Sequence, residues 1–285
     1  MKIGIFDSGF GGLMVLHEVK ARLPQYDYVY LGDNARAPYG NRNAETIYEY
    51  SKQAMDFLFG HGCQLVIVAC NTISATALRK LQNEYLPALK DPTKRILGVL
   101  IPLAEEIMTH TRTGRIGLIG TKATIQSGSF EKELQKQFEM LQKSGTKFGF
   151  QRLNIYKIAA PLLVPLIEEG WAKHAVTNKV LRVYLRPLKD KKIDTLIVGC
   201  THYILLHRKI ERMIGRRVFV PQAAKIVAEK FSEYLSRHPE IESRLSQGKT
   251  SQIYTTDDSR RVNDIGSKFF FEPLKSKHIS LSYPT

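Results

Sequence analysis

Two cysteines end matching apolar segments in opposite halves of the chain. Cys70 follows the run LVIVA (residues 65–69), and Cys200 follows the run TLIVG (residues 195–199). Both runs are rich in β-branched residues and too short for an ordinary helix, so each is predicted to be a buried strand that brings its thiol to the carboxyl edge of a sheet. Open α/β proteins bind ligands at this edge. A pair of equivalent thiols suits a reaction that takes a proton from one face of a carbon and returns one to the other, as a racemase or epimerase does.

Strand and helix signals alternate around both cysteines. A short N-terminal strand leads into the turn DSGFGG at residues 7–12, where glycines allow backbone and ligand to approach closely. Residues 74–85 are predicted to form a helix, and residues 217–220 a further strand. Alternation of this kind is typical of a parallel sheet.

The order of strand, glycine or hydroxyl turn, helices, strand and cysteine occurs twice. The segment IGLIGT at residues 116–121 echoes IGIFDS near the N-terminus. The sequence therefore predicts an α/β fold of two similar lobes with mainly parallel sheets, related by pseudo-symmetry, with the active site in the cleft between them. The first lobe carries one cysteine and is assigned residues 1–97 and 208–285, whereas the second carries the other and is assigned residues 98–207.

The composition of the chain is that of a folded enzyme and gives no sign of a membrane-spanning or disulfide-rich protein. Apolar residues make up 43% of the chain and charged residues 24%, as in a folded enzyme. No apolar run approaches the ~18 to 20 residues that span a bilayer, and the chain starts directly with a strand, so no membrane contact and a cytoplasmic location are expected. The three cysteines lack the spacing of a disulfide framework or a zinc site, so we expect reduced thiols and no metal.

The chain carries 42 Lys and Arg against 27 Asp and Glu, a net charge of +15. The basic residues are scattered along the sequence in short clusters only. We interpret most of this excess as ordinary surface charge, and nucleic acid is not expected to be the main partner.

Six motifs in order resemble those of bacterial glutamate racemases. They are DSGFGG (7–12), LGDNARAPYG (31–40), ACNT (69–72), IGTKAT (119–124), PLLVPLIEEG (161–170) and GCTHY (199–203). The resemblance spans nearly the whole chain. It implies an enzyme without a cofactor that interconverts L- and D-glutamate, its small-molecule substrate, and supplies D-glutamate for peptidoglycan. Racemases of this type often pair, so a homodimer is expected.

The resemblance also implies roles for individual residues. Cys70 would exchange the proton with D-glutamate and Cys200 with L-glutamate, in agreement with the chemistry of a thiolate and thiol pair. Asp7 would assist Cys70, and His202 would assist Cys200. The alternatives are that Asp7 caps the following helix and that His202 is a hydrogen-bonded residue at a strand end.

Glu168 is implied as a further aid to Cys200, although Glu169 is one position away and a solvated helix residue is the alternative. The positions implied to hold the ammonium and carboxylate groups of the substrate are Asp7, Ser8, Tyr39, Gly40, Asn71, Thr72, Thr201 and His202. Thr121 and Thr124 either contribute from the second lobe or cap a helix. Cys63 lacks the flanking pattern of the other cysteines and is expected to pack as a small apolar side chain.

Two other functions stay open. One is a racemase of the same superfamily for another substrate, such as aspartate. The other is a binding protein on a racemase scaffold, for example one that contacts a nucleic-acid enzyme through its basic surface. Retention of both thiols together with Asp7 and His202 argues against a scaffold that has lost its chemistry.

Overall fold

Two parallel sheets form the framework of the chain, which the computed structural model describes over residues 1–281. The strands are β1 (Lys2–Asp7), β2 (Tyr28–Gly32), β3 (Cys63–Val68), β4 (Arg95–Gly98), β5 (Arg115–Gly120), β6 (Asn154–Ala159), β7 (Thr195–Gly199), β8 (Ser251–Thr255) and β9 (Ser276–His278). Six strands pair in the order β4-β3-β1-β2-β8-β9 and three in the order β6-β5-β7. Every pairing is parallel, so the predicted fold class is confirmed.

Helices connect the strands and cover the sheets. The α-helices are α1 (Gly12–Arg22), α2 (Ala44–Gly60), α3 (Asn71–Thr76), α4 (Leu78–Lys80), α5 (Leu86–Ala88), α6 (Leu100–His110), α7 (Lys122–Ser127), α8 (Ser129–Lys143), α9 (Leu163–Glu168), α10 (Ala175–Asp190), α11 (His207–Ile214), α12 (Ala223–Arg237), α13 (Pro239–Glu242) and α14 (Ser259–Phe270). Short 3₁₀ helices occur at Asn34–Arg36, Tyr39–Asn41, Trp171–Lys173 and Thr201–Leu206, and a π-helical turn at Leu81–Tyr85. Along residues 1–281 no helix combines the length and apolarity that crossing a bilayer requires.

The strands that lead to the thiols are buried along almost their whole length. Every residue of β7 is buried, as are all residues of β3 except Gln64. Strands covered on both faces need continuous apolar runs, which explains the two β-branched segments in the sequence. We refer to the six-stranded sheet with its helices as the first lobe and to the three-stranded sheet with its helices as the second lobe. The boundaries at residues 97 and 207 stay a prediction.

Two predicted elements differ in the structure. The helix expected over residues 74–85 is divided into the end of α3 at Thr76, the short α4 and the π-helical turn Leu81–Tyr85. The Thr76 hydroxyl donates to the carbonyl of Thr72 at 2.8 Å, a kind of bond that often bends helices. The strand expected over residues 217–220 is reduced to one bridge between Phe219 and Thr195. Pro221, which follows, has no backbone N–H to continue a ladder.

Candidate active site

Strands from both lobes end at one small cavity that contains both predicted thiols. Cys200 directly follows β7, and Cys70 lies two residues beyond the end of β3. The cavity is lined by Ser8, Pro38, Tyr39, Gly40, Cys70, Asn71, Thr72, Thr121, Val164, Cys200, Thr201 and His202. Its volume is about 10 Å³, roughly what a single water molecule occupies. The structure therefore brings together every predicted substrate-binding residue except Asp7, which lies just behind the lining.

Cys70 is buried beside a hydroxyl and a carboxyl group. Its Sγ atom lies 3.3 Å from Oγ of Ser8. Burial and, after it, the charge of Asp7 raise the pKa of the Cys70 thiol, the Ser8 hydrogen bond lowers it, and the net result is a pKa of about 12. At neutral pH this thiol is therefore protonated and suited to act as a proton donor.

Asp7 joins the two lobes. Its carboxyl group is fully buried and accepts hydrogen bonds from the Gly9 N–H at 2.8 Å and the Thr201 hydroxyl at 3.1 Å. Burial raises the pKa of Asp7, whereas the charge of His202 and these hydrogen bonds lower it. Helix α1 begins after Gly11 with no side-chain cap, so the structure does not place Asp7 as the N-cap residue of that helix.

The second thiol lies beside a charged histidine. His202 is 4% exposed, and its Nε2 atom lies 3.1 Å from Oε1 of Glu168. Burial lowers the pKa of His202, but its interactions with Cys200 and Glu168 outweigh this and raise the pKa to about 10. At neutral pH this raised pKa favours the protonated imidazole, which lies beside the sulfur of Cys200. Glu169, the alternative to Glu168, is exposed.

Polar side chains next to the thiols supply further contacts. The Oδ1 atom of Asn71 is buried and has no hydrogen-bond partner among the described residues. An unpaired buried acceptor is costly, which indicates that it serves a ligand donor. The Thr72 hydroxyl reaches across the cleft to the hydroxyls of Thr121 at 2.9 Å and Thr124 at 3.3 Å. Thr121 also caps α7 through the Thr124 N–H, and a contact of Thr121 with the substrate stays a prediction.

Asp33 lies fully buried behind Tyr39 and is not among the residues predicted from the sequence. Its carboxylate accepts hydrogen bonds from the Tyr39 hydroxyl, from Nε of Arg36 at 2.6 Å and from the Thr256 hydroxyl at 2.8 Å. The structure thus orients the Tyr39 hydroxyl toward Asp33. Asp33 directly follows β2, so the rule that strand ends carry functional groups could have found it. Val164 and Pro38 also line the cavity, but neither follows a strand directly, so this rule would not have found them.

Glycines bring the loops of the two lobes into close contact. A Cβ atom on Gly11 would lie 2.4 Å from Cβ of Thr201, and one on Gly40 would lie 2.5 Å from Cβ of Thr121. Both distances are far shorter than van der Waals contact. The loops can approach this closely only because neither position carries a side chain.

The third cysteine lies away from this site. Cys63 begins β3 at the opposite, amino edge of the sheet and is fully buried. Burial raises the pKa of its thiol to about 12. Within the described part of the chain, no three His, Cys, Asp or Glu residues are grouped so that they could hold a metal ion.

Comparison with known proteins is in line with this geometry. The family model described as Asp/Glu/Hydantoin racemase matches residues 14–228. The chain belongs to this family. A glutamate racemase of Persephonella marina is 42% identical over 285 residues, covering 98% of this chain and 99% of the relative. The expected resemblance and the expected amino-acid racemase are thereby confirmed.

Solved structures extend the likeness to three dimensions. A glutamate racemase isoform from Bacillus anthracis has a TM-score of 0.83 at 30% identity, with 98% of this chain and 97% of that chain covered. A glutamate racemase from Francisella tularensis, solved in complex with D-glutamate, has the same TM-score at 27% identity and the same coverage. The fold and the arrangement of elements are shared over nearly the full length.

Proposed function

We propose that the chain is a glutamate racemase in which two thiols exchange the α-proton on opposite faces of the substrate. The single observation that carries the proposal is the meeting of Cys70 and Cys200 at one buried cavity, with a protonated His202 beside only one of them. The choice of glutamate is supported by the names of the relatives that match over nearly the full chain.

The environments of the thiols differ, which gives them different resting states. Cys200 lies beside the imidazolium of His202, whereas burial and the charge of Asp7 raise the pKa of Cys70 and keep it as a thiol. The free enzyme is then poised with Cys200 as the base and Cys70 as the acid. With the handedness that the family resemblance implies, this form acts on L-glutamate.

The reaction proceeds in two proton transfers. The Cys200 thiolate takes the α-proton of L-glutamate, and the Cys70 thiol gives its proton to the opposite face of the flattened carbanion, which yields D-glutamate. Ser8 holds the Cys70 sulfur at 3.3 Å. A site closed to water keeps the thiolate desolvated and the two sulfurs fixed on either side of the carbon.

The substrate is held by neutral polar groups. The unpaired Oδ1 of Asn71 can accept a hydrogen bond from the α-ammonium, and the hydroxyls of Thr72 and Thr121 can donate to a carboxylate. A cavity of about 10 Å³ does not accommodate glutamate, so the lobes separate to admit it and close again before chemistry. The proposal also includes supply of D-glutamate for peptidoglycan, action in the cytoplasm and assembly as a homodimer.

Serine substitution tests the two-thiol mechanism. Cys70→Ser and Cys200→Ser should each lower racemisation by about 10²- to 10⁴-fold, because an alcohol is a far weaker base than a thiolate at neutral pH. The change in circular dichroism of D- and L-glutamate measures the rate with dialysed protein. Cys63→Ser is the matched control and should keep near-normal turnover. Near-normal turnover in either active-site variant would contradict the mechanism.

Turnover on aspartate tests the substrate. We expect glutamate to be racemised with a much higher kcat/KM than aspartate. The reverse preference would identify a racemase of the same superfamily with another substrate. A folded chain that racemises neither acid would instead favour the binding-protein interpretation.

A further inference from the structure

The outer surface of α10 carries a concentration of positive charge that the sequence does not make obvious. The 22 residues from Trp171 to Lys192 include seven basic residues and one acidic residue, Asp190. All seven are exposed, and we call them the basic face: Lys173, Lys179, Arg182, Arg186, Lys189, Lys191 and Lys192. Arg186 pairs with Asp190 at 3.1 Å, so most of the charge on this face is uncompensated.

Helical periodicity explains why the four cations within α10, which are Lys179, Arg182, Arg186 and Lys189, share one side. Leu181, Leu185 and Leu188 are buried against the second lobe, which turns the positions between them toward solvent. The neighbouring helix α11 adds to the charge. Burial lowers the pKa of Lys209 on that helix, and the nearby cations Arg212 and Lys173 lower it further, as expected where positive charges crowd.

Apolar side chains are exposed along the same surface. Val183 is 70% exposed, Trp171 46% and Val176 40%. The two valines are seven residues apart and therefore lie on one side of α10, beside the row of cations. Trp171 lies just before the helix, where its ring packs on that of His174 at a centroid distance of 4.8 Å.

In contrast to the expectation from the sequence, we propose that the basic face binds the surface of a bilayer that contains anionic phospholipids. Lys and Arg are attracted to the negative potential of such a surface, and each contributes to peripheral binding. Trp residues favour the headgroup level, and exposed valines beside cations can enter the boundary between headgroups and acyl chains.

A nucleic acid would also neutralise the cations, but its phosphate backbone offers no apolar layer for Val176, Val183 and Trp171. The combination of charge with exposed apolar side chains therefore favours the bilayer. None of the seven cations lines the active-site cavity. Binding at this face is thus independent of the racemase chemistry, and a failure of one proposal leaves the other intact.

Trp171 provides a direct readout, because it is the only tryptophan of the chain. The full-length protein is mixed with phosphatidylcholine vesicles with and without phosphatidylglycerol. We expect a blue shift of the tryptophan emission with the anionic vesicles, quenching by bromine on the acyl chains, and at least about tenfold weaker partitioning onto pure phosphatidylcholine. Added salt should weaken the binding, since the cations are exposed.

Matched charge reversals test whether this face carries the binding. The test variant combines Lys179→Glu, Arg182→Glu and Lys189→Glu, and the control variant combines Lys136→Glu, Lys143→Glu and Lys147→Glu, all at exposed positions. Both variants change the net charge equally and should keep wild-type racemase activity. Partitioning should fall at least about tenfold in the test variant and by less than about twofold in the control.

Three results would overturn the proposal. Equal losses in both variants would indicate attraction by the overall charge alone. Absence of vesicle binding, or of quenching by the brominated acyl chains, would exclude contact of Trp171 with the bilayer. Tighter binding of duplex DNA than of anionic vesicles, with the same loss in the test variant, would assign the face to nucleic acid.

Discussion

Replacing His202 by asparagine should slow proton removal from L-glutamate far more than from D-glutamate. Raising the His202 pKa from 6.5 to about 10 corresponds to about 5 kcal/mol in favour of the charged imidazole. Cys200 and Glu168 both raise this pKa, so only part of the free energy, on the order of 2 to 3 kcal/mol, concerns the Cys200 sulfur. Loss of that stabilisation should lower the rate of the Cys200 step roughly 30- to 150-fold.

Ordinary turnover cannot reveal this asymmetry, because a catalyst leaves the equilibrium between enantiomers unchanged and the steady-state constants in the two directions stay tied together. The informative assays are elimination from a substrate with a β leaving group and primary deuterium isotope effects, each measured separately for the two enantiomers. Asp7→Asn should instead slow proton removal from D-glutamate more than from L-glutamate, because Asp7 lies beside Cys70. If His202→Asn kept the wild-type ratio between enantiomers, the pairing of His202 with Cys200 would be wrong.

The same substitution should change the pH dependence of stability. The pKa of His202 in the folded chain, about 10, lies above the ordinary value of 6.5. Its stabilising contribution is therefore fully present below about pH 6.5 and is lost as the pH rises toward 10. The Tm of wild type should fall more steeply than that of His202→Asn over this range. Parallel curves would contradict the raised pKa.

Two further predictions concern stability and lobe contact. Asp27 is buried and accepts three hydrogen bonds from the loop before β8, which outweigh the opposing effect of burial and lower its pKa below 3.8. Asp27→Asn should cost about 1 to 3 kcal/mol in urea unfolding at pH 7, a difference that shrinks as the pH falls below 4, while exposed Asp264→Asn should change little. Gly11→Ala would place its Cβ 2.4 Å from Thr201 and should lower both turnover and Tm, whereas Gly60→Ala, with no atom within 4 Å, should not. Unchanged turnover in Gly11→Ala would mean that the loops do not need to meet.

The strand ends could be predicted from the sequence because their signal is local. Cys70 and Cys200 each follow a short β-branched run, and a parallel sheet places all such ends at one edge. The basic face could not be predicted in this way, since its cations are separated by leucines and meet only when the helix period is applied. The place of Asp33 directly after β2 could be predicted in the same way, but its contact with Tyr39 could not, because that contact depends on the path of the loop between them. The division of the helix after Thr76, where the Thr76 hydroxyl donates to the Thr72 carbonyl, is not revealed by composition.

The small space between the lobes has a consequence for the protonation states of the two thiols after each turnover. A cavity of about 10 Å³ has room for about one water molecule, so the proposed closed form would hold little solvent beside the sulfurs. On the proposed mechanism, conversion of L-glutamate leaves Cys200 protonated and Cys70 as the thiolate, the mirror image of the starting form. The enzyme that opens is thus ready for the product rather than for the next substrate. On this mechanism solvent moves a proton from one sulfur to the other after the lobes part, and this resetting is then a step of the catalytic cycle in its own right.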